Sequence, residues 1–169
     1  MMLSKITIMV EHEINIYIEQ TLVIPQKKEW FVNLINNILI VLDIESPIEL
    51  GLVVTDSKTI HQLNKTYRNK DKPTDVLAFP MLDGLGQSTV STFVAPPDGI
   101  RHLGEIIISY HEAVIQAKEF QHEVVQEIAA LIIHGVLHLI GYDHNQSEER
   151  LYMRAKEEEV MKKMTYSKE

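Results

Sequence analysis

Three histidines in the C-terminal third of the chain, His134, His138 and His144, have the spacing of metal ligands. Because an α-helix has 3.6 residues per turn, two side chains four positions apart lie on one helical face. The preceding run, residues 124–133, is rich in isoleucine, leucine and alanine and free of proline and glycine, so it favours a helix. Gly141 tolerates the positive φ of a helix exit, which lets His144 turn back toward the pair.

Three neutral imidazoles around one point, with no fourth protein ligand in the same stretch, are typical of an open catalytic zinc site. A lone histidine on an apolar helix is more often a hydrogen-bonded core residue, but three at ligand spacing with a glycine at the bend favour a metal. We therefore expect one zinc ion per chain at this cluster. The remaining histidines lack such spacing and are expected to be structural or exposed: His12, His61, His102, His111 and His122.

The same histidine spacing occurs in the metzincin proteases, whose motif places a glutamate base directly after the first histidine. Here that position is Gly135, which has no side chain. A zinc peptidase therefore remains an alternative, but one that lacks its water-activating carboxylate.

The composition is that of an ordinary globular chain. Of its 169 residues, 45% are hydrophobic and 24% are charged. A chain of this length can bury its own core, so we expect a single domain over residues 1–169. The chain has no cysteine, which excludes disulfides and a thiolate zinc cluster. No apolar run reaches membrane-spanning length, and residues 1–10 lack the apolar core of a signal peptide. We therefore expect a cytoplasmic protein with no membrane partner.

The net charge of −8 argues against a nonspecific grip on a polyanion over the whole surface. The charges are nevertheless uneven. Acidic residues crowd the C-terminal segment, and we interpret them as a solvated helix face: Glu148, Glu149, Glu157, Glu158 and Glu159. Basic residues cluster in the middle of the chain: Lys65, Arg68, Lys70 and Lys72. The net charge therefore does not exclude a local basic groove.

A second constellation surrounds Arg68, which stands at a predicted helix end beside a polar loop. A guanidinium can hold a phosphate through two hydrogen bonds, a geometry that lysine cannot match. An ordinary surface salt bridge is the alternative interpretation. Asp75 is a candidate partner for the second ring nitrogen of a metal-binding histidine, or else a capping or turn residue.

Periodicity and turn residues predict the element order β α β α β β α α α. The alternating isoleucines of residues 6–18 predict a strand or hairpin, and Pro25 suits the first turn of a helix that ends near Leu42 and buries Trp30. Asp56 or Ser57 is expected to cap the second helix. The remaining expected segments are strands at 49–55, 76–80 and 104–109, a long loop at 83–102, and helices near 110–120, 124–140 and 147–164.

In the last of these helices we expect four apolar side chains to face inward: Leu151, Met153, Val160 and Met164. The predicted architecture is an α+β domain with a small mixed four-stranded sheet and about five helices. The metal site would lie on a helix of the C-terminal half.

The chain as a whole resembles the YbeY family of bacterial metal-dependent endoribonucleases, formerly described as a predicted metalloprotease family. The resemblance covers roughly residues 49–155 and rests on Asn64 with Tyr67-Arg68, on residues 74–80 and 103–109, and on the stretch from His134 to His144. Two positions depart from the family's usual pattern, since Ala78 stands in place of serine and Glu105 in place of aspartate.

The resemblance implies cleavage of single-stranded RNA, maturation of the 3′ end of 16S ribosomal RNA, and quality control of 70S ribosomes. It implies zinc at the three clustered histidines and a functional arginine at Arg68. The implied partners are the 16S ribosomal RNA precursor, the small ribosomal subunit and ribosome-assembly factors.

With RNA as the substrate that the resemblance implies, we expect it to lie between the basic cluster and the metal helix, with zinc and Arg68 sharing the scissile phosphate. His138 and Arg68 are the predicted catalytic residues, and Lys65, Lys70 and Lys72 would bind the substrate with Arg68. The general base is unassigned, and the nucleophile is either water or the RNA 2′-hydroxyl.

A noncatalytic alternative is a ribosome-associated module whose zinc only fastens the C-terminal helices together. A structural zinc normally has four protein ligands. Asp143 is too constrained beside His144 to supply the fourth.

Overall fold

The computed structural model describes residues 10–81 and 99–166. Within these residues the elements follow the predicted order: β1 (Glu13–Ile18), α1 (Lys28–Val41), β2 (Ile48–Thr55), α2 (Ser57–Arg68), β3 (Val76–Pro80), β4 (Arg101–Ser109), α3 (Tyr110–Glu119), α4 (Val124–Leu139) and α5 (Ser147–Tyr166). Residues 6–9 of the expected opening strand or hairpin, and residues 83–98 of the expected long loop, lie outside the described part.

The strands form one sheet in the order β1-β2-β4-β3. The pairs β1–β2 and β2–β4 are parallel, whereas β3 runs antiparallel to β4 at the sheet edge. Pro80 ends this edge strand, where its missing N–H removes no bond from a central ladder. The predicted α+β class with a mixed four-stranded sheet is confirmed.

Alternating side chains of β2 and β4 supply two different hydrophobic clusters, one on each face of the sheet. Leu52 of β2 and Ile106 of β4 belong to the main core, which also contains Ile35 of α1 and Ile132 of α4. Ile107 of β4 belongs to a smaller cluster with two further buried residues, Ile60 and Leu77. Helices α1 and α4 therefore cover one face, and α2 covers part of the other.

The last four residues of β4 are buried, as expected for an apolar central strand with neighbours on both sides. The strand begins at Arg101 rather than at Gly104 as predicted, because Arg101 and His102 pair with Ile48 and Glu49 of β2. Because their side chains are polar, apolar periodicity does not predict that these two residues belong to the strand.

Two helical predictions need correction. Helix α1 begins at Lys28, so Pro25 precedes the helix instead of standing in its first turn. In α5, Met153 and Val160 are buried as predicted, but Leu151 is 68% exposed. Two residues correspond to about 200° around a helix, which places Leu151 away from the stripe that Met153 starts.

None of the helices in the described residues is both long enough and apolar enough to cross a membrane.

Gly135 places the middle of α4 directly against the sheet. A Cβ built at this position would lie 2.7 Å from Cγ2 of Ile106, which is fully buried in β4. Position 135 therefore faces the core, and glycine permits the close approach of helix and strand that brings the metal-site histidines to their place.

We expect Gly135→Ala to lower the free energy of unfolding by about 1 kcal/mol, measured by urea denaturation. Alanine gains about 1 kcal/mol over glycine in helix propensity. Overpacking against Ile106 costs about 1–3 kcal/mol and outweighs that gain.

The control for this prediction is the same change in an Ile106→Ala background, which removes the obstructing atoms. There Gly135→Ala should stabilise the protein by up to about 1 kcal/mol, because only the propensity gain remains. An equal loss in both backgrounds would show that the contact with Ile106 is not the cause.

Candidate metal centre and basic segment

Helix α4 presents His134 and His138 on one face of its C-terminal half, as their spacing predicts. The Nε2 atoms of the two rings lie 3.0 Å apart. The rings meet edge to face, with their centroids 4.6 Å apart.

The chain turns back immediately after α4 and adds the third histidine. Gly141 has φ +106°, a conformation that side-chain-bearing residues rarely adopt, so the predicted role of this glycine is confirmed. The N–H of Tyr142 donates to the carbonyl of Leu137 at 3.0 Å and closes the helix end. The ring centroid of His144 consequently lies 4.8 Å from that of His138.

The ring nitrogens that the three histidines offer all lie within 4.8 Å of one another. In the described part of the chain this is the only group of three or more potential ligands close enough to hold a metal ion. The Nδ1 atom of His144 is buried without a hydrogen-bond partner, as expected of a nitrogen reserved for a metal. Three imidazole nitrogens are a donor set that suits zinc and related divalent ions.

Electrostatics favour the neutral, metal-binding form of the central ligand. Burial, followed by the nearby imidazoles of His134 and His144, lowers the pKa of His138 to about 4. Its imidazole is therefore neutral at physiological pH and ready to coordinate a cation.

A carboxylate of the last helix contacts the second ring nitrogen of His134. Nδ1 of His134 lies 2.5 Å from Oε1 of Glu157 in α5. The interpretation of Glu157 as part of a solvated face is therefore wrong. The sequence did contain a clue, because Glu157 falls between the buried Met153 and Val160 at helical spacing.

Asp75, the carboxylate predicted as a possible histidine partner, has a different role. Its Oδ1 accepts from the N–H of Val76 at 2.8 Å, and its Oδ2 accepts from the side chain of Gln116 at 2.8 Å. The contact with Val76 is local, as the alternative prediction of a capping or turn residue implies, whereas the contact with Gln116 was not predicted.

Asp143 shapes the turn that carries His144. One carboxylate oxygen accepts from the backbone N–H of His144 at 2.7 Å, and the other accepts from the side chain of Asn145 at 2.5 Å. These two hydrogen bonds fix the carboxylate of Asp143 within the turn.

The basic segment, residues 65–72, is fixed at the C-terminal end of α2. Asn69 adopts a left-handed conformation with φ +55° and donates its backbone N–H to the carbonyl of Asn64. The side chain of Asn64 is buried and donates to the carbonyl of Lys72 at 2.8 Å. The buried side-chain amide of Asn64 therefore fixes the polar loop that follows α2.

The charges of this segment are unequally available. Lys65 and His61 lie 2.9 and 2.8 Å from the two oxygens of Asp71, and these hydrogen bonds lower the pKa of that carboxyl group. Arg68, Lys70 and Lys72 are exposed. In residues 10–81 and 99–166 no ion pair engages any of these three, so the salt-bridge alternative for Arg68 finds no partner there.

The described contacts join neither Arg68 nor the lysines to the histidine cluster, and the cleft between them stays a prediction. The two departures from the family pattern lie outside the cluster as well. Ala78 pairs with Ile106 and packs against the main core. Glu105 lines an open groove of about 360 Å³ on the other face of the sheet.

Comparison with known proteins bears out the resemblance seen in the sequence. The family model described as Endoribonuclease YbeY matches residues 13–165, a wider range than the predicted 49–155. An endoribonuclease YbeY from Roseiflexus sp. (strain RS-1) is 43% identical over 127 residues, which are 75% of this chain and 76% of the relative. One from a strain of Dehalococcoides mccartyi is 47% identical over 116 residues, which are 68% and 67% of the two chains.

The fold has a solved counterpart. A solution structure of a protein from Thermotoga maritima matches with a TM-score of 0.54 and 25% identity, over 91% of this chain and 93% of that one. Together with the family model and the relatives, this shows that the chain belongs to the endoribonuclease YbeY family.

Proposed function

We propose that this protein is a zinc-dependent endoribonuclease that cleaves single-stranded RNA, acting in the cytoplasm on the 3′ end of 16S ribosomal RNA and in the quality control of 70S ribosomes. The observation that carries the proposal is the convergence of three imidazoles within 4.8 Å in a chain of this family. The small ribosomal subunit and ribosome-assembly factors would be its partners.

His134, His138 and His144 would hold the zinc ion through their ring nitrogens. When bound, zinc supplies Lewis-acid stabilisation of the negative charge that develops on a phosphodiester. The protein's own contribution is to keep His138 neutral by burial and to fix the ring of His134 through Glu157.

Arg68 is the candidate for direct contact with the scissile phosphate. Its guanidinium is exposed and has no competing carboxylate among the described residues, so both of its parallel N–H groups are available. Stabilising the phosphate charge as it increases in the transition state is the largest single effect a side chain can contribute to such a reaction.

Lys70 and Lys72 would contact the RNA backbone from the loop that Asn64 fixes. Lys65 contributes less, because Asp71 already neutralises it. A net charge of −8 is compatible with this role, since a small basic surface can bind a polyanion while the remaining surface repels it.

The chemistry of the nucleophile can be identified from the products. A 5′-phosphate end would indicate attack by water, and a 2′,3′-cyclic phosphate would indicate attack by the 2′-hydroxyl. Glu157 contacts Nδ1 of His134 through its Oε1 atom, so we assign it to holding that ring rather than to the role of general base.

The structure disfavours the two alternatives that the sequence leaves open. In a peptidase of the metzincin type, the base would occupy position 135, and here that position faces Ile106 in the core. A purely structural zinc normally has four protein ligands, whereas the group of potential ligands in the described residues has three.

The central test is cleavage of a single-stranded RNA, with zinc content and thermal melting recorded for every variant. His138→Ala should lose both zinc and cleavage. Arg68→Ala should stay folded and zinc-loaded but cleave about 100-fold more slowly, and Arg68→Lys should recover only part of the rate. Arg154→Ala, which removes an exposed arginine of α5, is the matched control and should cleave normally.

Cleavage that survives both His138→Ala and Arg68→Ala would come from a contaminating nuclease. The protein would then be a zinc-bearing, ribosome-associated module rather than an enzyme.

The role of the lysines can be tested separately. Lys70→Ala and Lys72→Ala should each raise KM for RNA with kcat nearly unchanged, and each should reduce the salt dependence of binding by a slope of about 0.7. Lys28→Ala, at an exposed position of α1, should change neither quantity. An equal effect of Lys28→Ala would mean that RNA binding follows overall charge rather than the basic segment.

A further inference from the structure

Glu157 forms a hydrogen bond that links the last helix to the histidine cluster. The pair is half-buried, with the side chains of His134 and Glu157 exposed by 32% and 30%. Lys156 and Lys163 of the same helix both pair with Glu159 rather than with Glu157.

The hydrogen bond determines which ring nitrogen of His134 can bind a metal. An ionised carboxylate can only accept, so the proton must reside on Nδ1 of His134. Nε2 then carries the lone pair, and Nε2 is the atom that lies 3.0 Å from Nε2 of His138. The carboxylate therefore selects the tautomer that presents its free nitrogen to the cluster.

The same side chain depends on the packing of α5. Met153 and Val160, four residues before and three residues after Glu157, are exposed by only 2% and 0%. They hold this face of α5 in the main core, so Glu157 can reach His134 only when the helix is docked.

We propose that Glu157 is a positioning residue of the metal centre, and that metal binding and the docking of α5 are therefore linked equilibria. Whatever stabilises the docked helix raises metal affinity, and bound metal stabilises the docked helix by the same free energy. This inference rests on the metal site of the proposed function, but not on RNA cleavage.

The first experiment measures zinc affinity of the metal-free full chain by competition with a chromophoric chelator. Glu157→Ala should bind zinc about 100-fold more weakly than the unaltered protein, and Glu157→Gln about 10-fold more weakly, because its amide oxygen still accepts from Nδ1. Glu158→Gln removes the same charge from the exposed neighbouring position and should leave the affinity unchanged.

Melting of each metal-free variant separates this effect from a loss of folding. Glu157→Gln is nearly isosteric and should melt close to the unaltered protein. A weaker zinc affinity in a variant of unchanged melting temperature supports the positioning role.

The second readout is the tautomer of His134, observed by ¹⁵N NMR of the metal-free protein. The proton should reside on Nδ1 in the unaltered chain and shift toward Nε2 in Glu157→Ala. A purely structural contribution of Glu157 would leave the tautomer unchanged.

The linkage itself is tested by amide hydrogen exchange of α5. Zinc should slow exchange in this helix of the unaltered protein and have little effect in Glu157→Ala. The proposal is overturned if Glu157→Ala binds zinc within about twofold of the unaltered protein, or if zinc leaves α5 exchange unchanged. If the protein gives the expected results in these tests but cleaves no RNA, only the nuclease proposal is refuted, and the positioning role of Glu157 stands.

Discussion

The close packing of α4 on β4 is the constraint on which the metal centre depends. Gly135 brings the helix so near to Ile106 that even a methyl group has no room between them. His134 and His138, flanking this contact, are thereby held at a fixed distance from the sheet. On this scaffold the turn at Gly141 adds His144, and α5 adds Glu157, to a pair of ligands whose position is already fixed.

Most of the fold could be predicted from the sequence because its determinants are local. Helix α4 and the turn at Gly141 follow from periodicity and from the conformational freedom of one glycine, and the start of α2 follows from its cap, Asp56. The pairing of His134 with His138 has the same local origin, since it requires only the pitch of one helix.

The contacts that sequence reasoning missed join segments far apart in the chain. Glu157 reaches His134 across 23 positions, and local charge patterns describe it equally well as a solvated residue. Asp75 likewise finds its partner 41 positions away, at Gln116 rather than at a histidine. Which carboxylate supports which ligand depends on how helices pack, and packing leaves only a weak trace in a single sequence.

The position of Glu157 also has a consequence for biosynthesis. A growing chain contains both α4 ligands and His144 before it contains Glu157. If the carboxylate is needed to orient His134, a nascent chain that lacks α5 contains all three ligands but binds a metal ion only weakly. Synthesis of α5 would then complete the metal centre only after all three ligands have already been made.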